Sequence, residues 1–246
     1  GDGKHLYYAM SASTTTTEIR RIAGTTGSEA VKTRGTTVPQ HIHGMAMMNG
    51  KLYTWTGRKL HEFDVDQTVP LVLNDTYRKV FDTGVEYASA DFGGSAAGSW
   101  WAGCTATENS VIFFVGSEGQ TMIYEYRIRS DGTKVGRPLW RMPFGLTGKS
   151  MTVQNGIVFV AGHWGGEGTA NGFGAMYALP LRTMQPVFVG WFRKTPNSAL
   201  NLQMQEMANS YGNQILVCAS HTGRVWFYDA DLDSLSMLDT MATSGT

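Results

Sequence analysis

A pattern of about fifty residues recurs along the chain and limits it to a repeat fold. Each copy begins with a turn that contains Asn or Gly, and a run of apolar β-forming residues follows the turn. The copies begin at Asn49-Gly50, Asn109-Ser110, Asn155-Gly156 and Asn213-Gln214, with a fainter copy at Gly3-Lys4. Asn-Gly and its relatives favour the two-residue turns that join antiparallel strands, and the runs that follow predict strands buried on both faces.

Further strands can be placed in each copy. A strand that pairs with the apolar run is predicted at 18–22, 59–65, 122–128, 175–181 and 224–230, with centres at Ile22, Phe63, Tyr126, Leu179 and Tyr228. A weaker outer strand is predicted at 78–82, 138–142, 186–192 and 236–241, and an inner strand at 43–48, 150–154 and 200–209. Four antiparallel strands in about fifty residues are typical of a propeller blade.

The sequence therefore predicts an all-β fold, a β-propeller of four-stranded antiparallel blades, with about five blades formed by 1–246 as a single domain. The first copy begins at its second strand. Its inner strand is then supplied either by 243–246 or from outside the chain, and the alternative to a closed ring is a fragment of a larger propeller. Four residues share one place in their copies and are all expected to be buried: Leu52, Ile112, Val158 and Leu216.

The charge balance limits the classes of partner. Lys and Arg number 20, Asp and Glu number 20, and only 16% of residues are charged. Binding to nucleic acid or to a membrane surface needs an excess of cations, so neither is expected. No apolar run approaches the roughly eighteen residues of a membrane span, so membrane insertion is not expected. Cys104 and Cys218 lie in apolar contexts and are predicted to be buried free thiols.

Two motifs resemble metal sites but are better explained as structure. His41 and His43 should project to the same side of a strand, as two metal ligands would, but no third ligand stands at a supporting spacing. The run 229–233 has Asp at alternate positions, like a calcium loop, but lacks the turn-making Gly and the final Glu. We interpret it as a charged turn equivalent to 64–66 and 129–132. The sequence therefore predicts no metal site.

No enzyme motif is present. The chain lacks Gly-x-Ser-x-Gly, a P-loop and a dinucleotide-binding fingerprint. A glycosidase of this fold would need two carboxylates facing each other across the central channel, and the spacing of Glu86, Asp91 and Glu206 gives no support for such a pair. The sequence therefore predicts a protein that is not an enzyme, with no catalytic residue and no cofactor.

Two long loops are the main departure from the repeat. The segments 162–174 and 84–98 replace connections that are only a few residues long in other copies. Binding tends to reside in loops on a rigid scaffold, and exposed aromatic residues are common anchors. The predicted partner-binding residues are therefore Trp164, His163, Tyr87, Phe92 and His221, of which the two histidines stand at equivalent positions of neighbouring copies. The alternative is that the loops pack against their own blades.

Two runs resemble a known class of protein. Residues 137–147 (Arg-Pro-Leu-Trp-Arg-Met-Pro-Phe-Gly-Leu-Thr) and 155–162 (Asn-Gly-Ile-Val-Phe-Val-Ala-Gly) resemble the propeller modules of tailed-bacteriophage tail hubs, nozzles and fibres. The resemblance implies a non-enzymatic structural or receptor-contacting module in the tail of a virion. Its implied partners are other tail or virion proteins, or a host-surface receptor or glycan, and a homo-oligomer is a further option.

An extracellular propeller that binds glycans as a lectin does, or hydrolyses them, is the alternative. A multivalent lectin should repeat its binding residues in every blade, but Trp164 has no counterpart at Gly57 or Ser117. This asymmetry favours the structural class, and with it a virion location over a secreted one.

Overall fold

The computed structural model describes residues 5–11, 17–23, 29–34, 42, 44–55, 59–66, 72–73, 78–83, 103–115, 121–144, 146–164, 173–193, 206–211, 214–219, 224–229 and 234–240. Within these ranges every regular element is a β-strand, and the strands form five sheets. None of the described residues forms a helix that is long and apolar enough to cross a membrane.

The first two sheets hold the amino-terminal strands. The first sheet has the order β1 (His5–Ser11), β2 (Thr17–Ala23) and β3 (Glu29–Arg34). The second sheet contains β4 (Gly44–Met48), β5 (Lys51–Trp55), β6 (Lys59–Asp66), β7 (Val72–Leu73) and β8 (Arg78–Asp82). Strand β8 pairs with the beginning of β6 and β7 pairs with its end, so these two strands share the outer position of the sheet.

The other three sheets each have four strands in chain order. The third sheet contains β9 (Cys104–Ala106), β10 (Ser110–Val115), β11 (Met122–Ile128) and β12 (Lys134–Arg141). The fourth contains β13 (Leu146–Gln154), β14 (Ile157–Trp164), β15 (Phe173–Pro180) and β16 (Val187–Arg193). The fifth contains β17 (Glu206–Tyr211), β18 (Gln214–Ala219), β19 (Arg224–Asp229) and β20 (Ser234–Thr240). The prediction of four-stranded antiparallel sheets is confirmed.

The predicted register is confirmed in the second and fourth sheets. Leu52 of β5 pairs with Phe63 of β6, and Val158 of β14 pairs with Leu179 of β15. Leu52, Val158 and the equivalent Ile112 of β10 are buried, as predicted. Neighbouring residues along β5 and β10 are buried as well, so both faces of these strands lie in the interior.

In the fifth sheet, the observed centre of one strand differs by one residue from the predicted centre. Leu216 of β18 pairs with Phe227 of β19, whereas Tyr228 pairs with Ile215. Phe227, not Tyr228, therefore occupies the place of Phe63 in the repeat. The sequence pattern did not reveal the shift, because three aromatic residues follow one another in β19 and each could be taken as its centre. The side chain of Leu216 lies outside the described part of the structure.

Two sequence predictions about strand ends are corrected. Residues 64–66 do not form a turn, because they extend β6, where Asp64 pairs with β5 and the next two residues pair with β7. The predicted inner strand at 200–209 corresponds to β17, which begins at Glu206, and residues 200–205 lie outside the described residues. The turn at 129–132 is confirmed: Gly132 donates a backbone hydrogen bond to Arg129, and a positive φ of 81° at Gly132 returns the chain to β12.

The turns of the second and fourth sheets share one conformation. Asn49 and Gly50 have φ values of 51° and 71°, and Asn155 and Gly156 have φ values of 50° and 73°. Two successive residues at positive φ define the type I′ turn, which matches the twist of a hairpin and suits Asn-Gly. Asn109 is not at positive φ, and the turn there is closed instead by the Thr107 hydroxyl, which accepts a 3.0 Å hydrogen bond from the Ser110 backbone.

The chain divides into two compact units. The first comprises Gly1–Ser99, Cys104–Phe113 and Glu125–Arg137, and the second comprises Trp100–Gly103, Phe114–Tyr124 and Pro138–Thr246. In the first unit, Tyr7, Ile19, Leu52 and Phe63 form a buried apolar cluster. That a single domain spans 1–246 stays a prediction.

Close packing in the second unit explains two glycines. The ring of Phe114 lies against Gly103 and Gly148, where an added Cβ would come within 2.5 Å and 2.7 Å of the ring. Any larger residue would displace the ring from this position. These glycines therefore serve the packing of Phe114 and do not mark loops.

Candidate functional site

The predicted partner-binding residues are divided by the structure. Tyr87, Phe92 and His221 lie outside the described residues. His163 and Trp164 belong to the end of β14, where His163 pairs with Thr147 and Trp164 pairs with Leu146. The expectation that Trp164 lies in a loop is therefore wrong.

The hairpin that carries Trp164 is longer than the sequence suggested. The glycines Gly162 and Gly174 were interpreted as loop residues, but both lie in paired strands. Gly162 pairs with Gly148 of β13, next to the ring of Phe114, so the small residues make room for a side chain. Whether Trp164 binds a partner stays a prediction.

Glu62 is a buried carboxylate that joins three strands of the second sheet. Its side chain is 2% exposed. Its Oε2 accepts a 2.8 Å hydrogen bond from the hydroxyl of Tyr53 on β5, and its Oε1 accepts a 2.9 Å hydrogen bond from Lys51 Nζ. Arg78 of β8 also donates a hydrogen bond to Oε1. The carboxylate therefore holds the outer strand β8 to the pair β5 and β6.

These donors keep Glu62 ionised. Burial by itself raises the pKa of the Glu62 carboxyl, but hydrogen bonds from Lys51, Tyr53 and Arg78 outweigh burial and hold the pKa below its usual value. Burial and the hydrogen bond to Glu62 raise the pKa of the Tyr53 hydroxyl well above its usual range. Burial, with a contribution from Glu62, raises the pKa of Tyr126 to about 12. The cluster is thus arranged to stabilise a fixed charge between strands.

The third sheet repeats this arrangement. Glu125 of β11 accepts a 2.6 Å hydrogen bond from the hydroxyl of Ser110 on β10 and a 2.8 Å hydrogen bond from Arg137 Nε on β12. Glu125 and Glu62 occupy the same place in the repeat, each one residue before the centre of its strand. The recurrence of a buried Glu with an Arg from the outer strand favours a structural role for both carboxylates.

The described residues offer few metal or thiol sites. No group of three or more His, Cys, Asp or Glu side chains in the described ranges could hold a metal ion. His41 and His43 lie outside those ranges. Cys104 is a free thiol on β9, packed beside Gly44 of β4, and burial raises its pKa above the usual range. A thiol that stays protonated is a poor nucleophile and a poor metal ligand.

Four aromatic side chains of the second unit form a continuous series of ring contacts. Trp140 of β12 contacts Tyr177 of β15 with ring centroids 5.1 Å apart. Tyr177 contacts Phe188 of β16 at 5.4 Å, and Phe188 contacts Trp191 at 5.0 Å. Phe188 is 43% exposed and Trp191 is 49% exposed, and the adjacent Val187 is exposed as well. We call the four rings the aromatic surface.

The second sheet carries charged residues where the fourth sheet carries these rings. His61 pairs with Lys79 in the second sheet, as Tyr177 pairs with Phe188 in the fourth. Both outer strands contain a one-residue bulge directly after this pair. Positions on β8 and β16 can therefore be matched one by one, although β8 carries charged side chains where β16 carries aromatic ones.

One matched pair of positions shows the difference most directly. Lys79 and Asp82 of β8 form an exposed ion pair with a nitrogen–oxygen distance of 3.5 Å. Phe188 and Trp191 occupy the equivalent positions of β16 and form an exposed aromatic pair. Sheet edges are usually protected by charged residues, so β8 is an ordinary outer strand and β16 is not.

The sequence-based predictions do not include the aromatic surface, although a signal for it was present. Positions 187–191 contain no charged residue, whereas the equivalent positions 78–82 contain three. The apolar stretch was interpreted only as a weaker strand of the repeat. Comparing the outer strands of different copies with each other, position by position, would have identified β16 as the exception.

No family model matches the chain, and no curated protein matches its sequence. Solved structures do match. The crystal structure of a nidogen/laminin complex has a TM-score of 0.58 and 12% identity, and the match covers 96% of this chain and 75% of that one. The extracellular domain of BT4673 from B. thetaiotaomicron, described as a one-component system, has a TM-score of 0.53 and 15% identity. That match covers 97% of this chain, which spans only 27% of the BT4673 chain.

These structures decide the fold class, since their domains are propeller-like and this chain has the same four-stranded antiparallel sheets. The fold is a β-propeller. Identities of 12% and 15% show the fold alone. Neither neighbour is a bacteriophage tail protein, so the resemblance to tail proteins is confirmed only as far as the propeller.

Proposed function

We propose that this chain is a non-enzymatic protein-binding module that contacts its partner through the aromatic surface. The observation that carries the proposal is the replacement of an exposed ion pair by an exposed aromatic pair at matched positions of two outer strands. Exposed apolar patches lower solubility and commonly mark interaction sites, and Trp is among the residues that contribute most to binding energy.

The structural neighbours give general support to a binding role. The nidogen/laminin structure is, by its description, a complex of proteins, and the BT4673 domain is extracellular. The finer proposal is a structural or receptor-contacting part of a virion tail, and it rests on the resemblance of 137–147 and 155–162. A secreted module that binds or hydrolyses glycans is the alternative, which the extracellular neighbours favour over the virion.

Site-specific photo-crosslinking in the organism that makes the protein tests the proposal. A photoreactive phenylalanine analogue replaces Trp191 in one variant, Trp164 in a second and Asp82 in a third. We expect position 191 to give a discrete crosslinked product, which mass spectrometry then identifies. Position 82 is the matched control on β8 and should give none.

The identified protein is then purified and its affinity measured directly. We expect Trp191→Ala to weaken its binding by about tenfold or more, as for a residue at the centre of an interface. A product from position 164 and none from 191 would reject the aromatic surface and support the loops predicted from sequence. A virion protein as the partner would support the tail role, whereas a secreted glycoprotein would support the extracellular one.

A further inference from the structure

The aromatic surface lies in a segment of the second unit that has a net positive charge. Residues 138–193, which carry all four rings, contain four cations: Arg141, Lys149, Arg182 and Arg193. The same residues contain one anion, Glu167, so the segment has a formal charge of +3, since 4 − 1 = 3. The whole chain has a formal charge of zero. The positive charge is therefore concentrated in the part of the chain that carries the exposed rings.

One of these cations is exposed between the two strands that carry Tyr177, Phe188 and Trp191. Arg182 is exposed in the turn that connects β15 to β16. An apolar centre with charged residues around it is the usual composition of a protein-binding surface, in which the rim charges steer association.

The strand edge itself is poorly suited to pairing with another strand. The register of β16 against β15 shifts between Met176 and Tyr177, which leaves a bulge in the middle of β16. Bulges at edges twist the strand and oppose edge-to-edge pairing. Recognition at this surface is therefore expected to use the side chains of Phe188 and Trp191 and not the backbone of β16.

The ring geometry favours a protein over a flat ligand. The planes of successive rings in the aromatic surface are inclined by 55°, 68° and 52°. A nucleic-acid base or a sugar ring stacks on an open and flat aromatic face. Inclined rings that already contact each other form an uneven surface, which irregular apolar side chains of a protein can fill.

We propose that the partner of the aromatic surface is a protein surface with Asp and Glu residues around an apolar centre. The proposal rests on the proposed function and adds the chemical class of the partner. Charge complementarity supports it, because the cationic segment 138–193 would be matched by carboxylates. A second copy of this chain is an outcome of the test, since its residues 206–246 carry five carboxylates and one Arg.

Two synthetic peptides of equal length serve as probes. Both contain the same Phe and Leu residues, and the first has Glu where the second has Gln. Their binding to the intact chain is measured by calorimetry at about 50 and 300 mM NaCl, which spans a large change in screening. We expect the Glu peptide to bind about tenfold more tightly at low salt, and the difference to shrink at high salt.

Variants of the chain locate the interaction. Arg182→Glu should weaken binding of the Glu peptide by about fivefold, whereas Lys79→Glu on β8 should leave it unchanged. Trp191→Ala should weaken binding of both peptides. Circular dichroism and thermal melting of each variant verify that it is folded, and Trp191→Phe gives a second variant that keeps an aromatic ring.

Each remaining outcome contradicts the proposal in a distinct way. Equal affinity for the Glu and Gln peptides, with loss in Trp191→Ala, would reject the acidic partner and leave the proposed function standing. Binding of neither peptide would reject the acidic partner too. Tighter Trp191-dependent binding of single-stranded DNA or heparin would replace the protein partner by a polyanion. Sedimentation that shows a dimer, lost in Trp191→Ala, would replace it by a second copy.

Discussion

The second and fourth sheets use one backbone arrangement for two purposes. In the second sheet, the buried Glu62 pairs with Arg78, and the outer strand ends in an exposed ion pair. In the fourth sheet, Ala178 pairs with Val187 at the same place, and the outer strand ends in exposed rings. At this place in the sheet, the fold thus accepts either a buried ion pair or a pair of apolar side chains.

The difference teaches where selection for binding can act in a repeat protein. The turn, the register of the buried strands and the bulge of the outer strand are the same in both sheets, so these features serve the fold. The side chains of β16 and β8 differ although their backbone positions match. A departure from the repeat that leaves the backbone unchanged is best explained by a contact that only one blade makes.

The largest expected effect is the loss of the buried charge that the second sheet has and the fourth sheet lacks. We expect Glu62→Ala to lower the free energy of unfolding by about 3 kcal/mol, because it leaves the Tyr53 hydroxyl buried without its acceptor and Arg78 without its carboxylate. Urea denaturation measures the change. Lys79→Ala, which removes an exposed ion pair, should cost no more than about 0.5 kcal/mol. A cost below about 1 kcal/mol for Glu62→Ala would show that the ion pairing only offsets desolvation.

The next effect is a pH dependence of stability. It concerns His61, which occupies in the second sheet the position that Tyr177 occupies in the fourth. Burial, with help from Lys59 and Lys79, lowers the pKa of His61 from 6.5 to about 4. Between these two values the unfolded chain binds a proton that the folded chain does not, so stability falls as the pH falls from 6.5 to about 4. We expect His61 to lower the free energy of unfolding by about 2 kcal/mol over this pH range. This value is smaller than the full pKa shift would give, because solvent partly screens the group.

The variant His61→Gln isolates this contribution. Its free energy of unfolding should depend less on pH over the same window, as measured by urea denaturation at several pH values. The carboxylates add their own dependence at lower pH, since Glu62 contributes stability that is present above its unfolded pKa and lost as the pH falls through its lowered folded pKa. Parallel pH curves for wild type and His61→Gln would show that His61 is protonated equally in both states.

A smaller effect tests what the two sheets share. Gly50 and Gly156 have φ values of 71° and 73°, and an added Cβ would meet no atom within 4 Å at either position. The cost of Gly50→Ala or Gly156→Ala is therefore backbone strain alone, about 1 kcal/mol in each case. Asn tolerates this region better, so Gly50→Asn should cost less. Unequal costs for the two alanine variants in thermal melting would contradict a shared turn conformation.

The sequence predicted the features that recur and missed those that do not. The apolar runs and the Asn-Gly turns reflect local preferences, so they placed Leu52 and Val158 correctly. Gly148, which pairs with Gly162 of the hairpin that carries Trp164, packs against the ring of Phe114, and no local pattern encodes such a distant contact. The exposure of Phe188 and Trp191 was missed as well, because an apolar strand in a sequence is usually a buried one, and only a comparison of the outer strands with each other reveals the exception.

Exchanging side chains between the outer strands β8 and β16 should have the smallest effect on stability. It is also the sharpest test of the comparison between the two sheets. The double variant Phe188→Lys, Trp191→Asp gives β16 the ion pair of β8. Because both positions are exposed, we expect the free energy of unfolding to change by no more than about 1 kcal/mol. Binding of the partner should nevertheless be lost, because the variant removes both exposed rings.

The reciprocal variant, Lys79→Phe, Asp82→Trp, completes the exchange. It should fold with similar stability, yet lower the solubility of the chain, because it adds a second exposed aromatic pair without a partner to cover it. Urea denaturation and the protein concentration at precipitation measure the two properties. If the exchange in β16 instead lowered stability by about 3 kcal/mol, a loss typical of core aromatic residues, the rings would belong to the core of their sheet. The difference between the two outer strands would then serve folding, and partner binding would have to be sought at the loops.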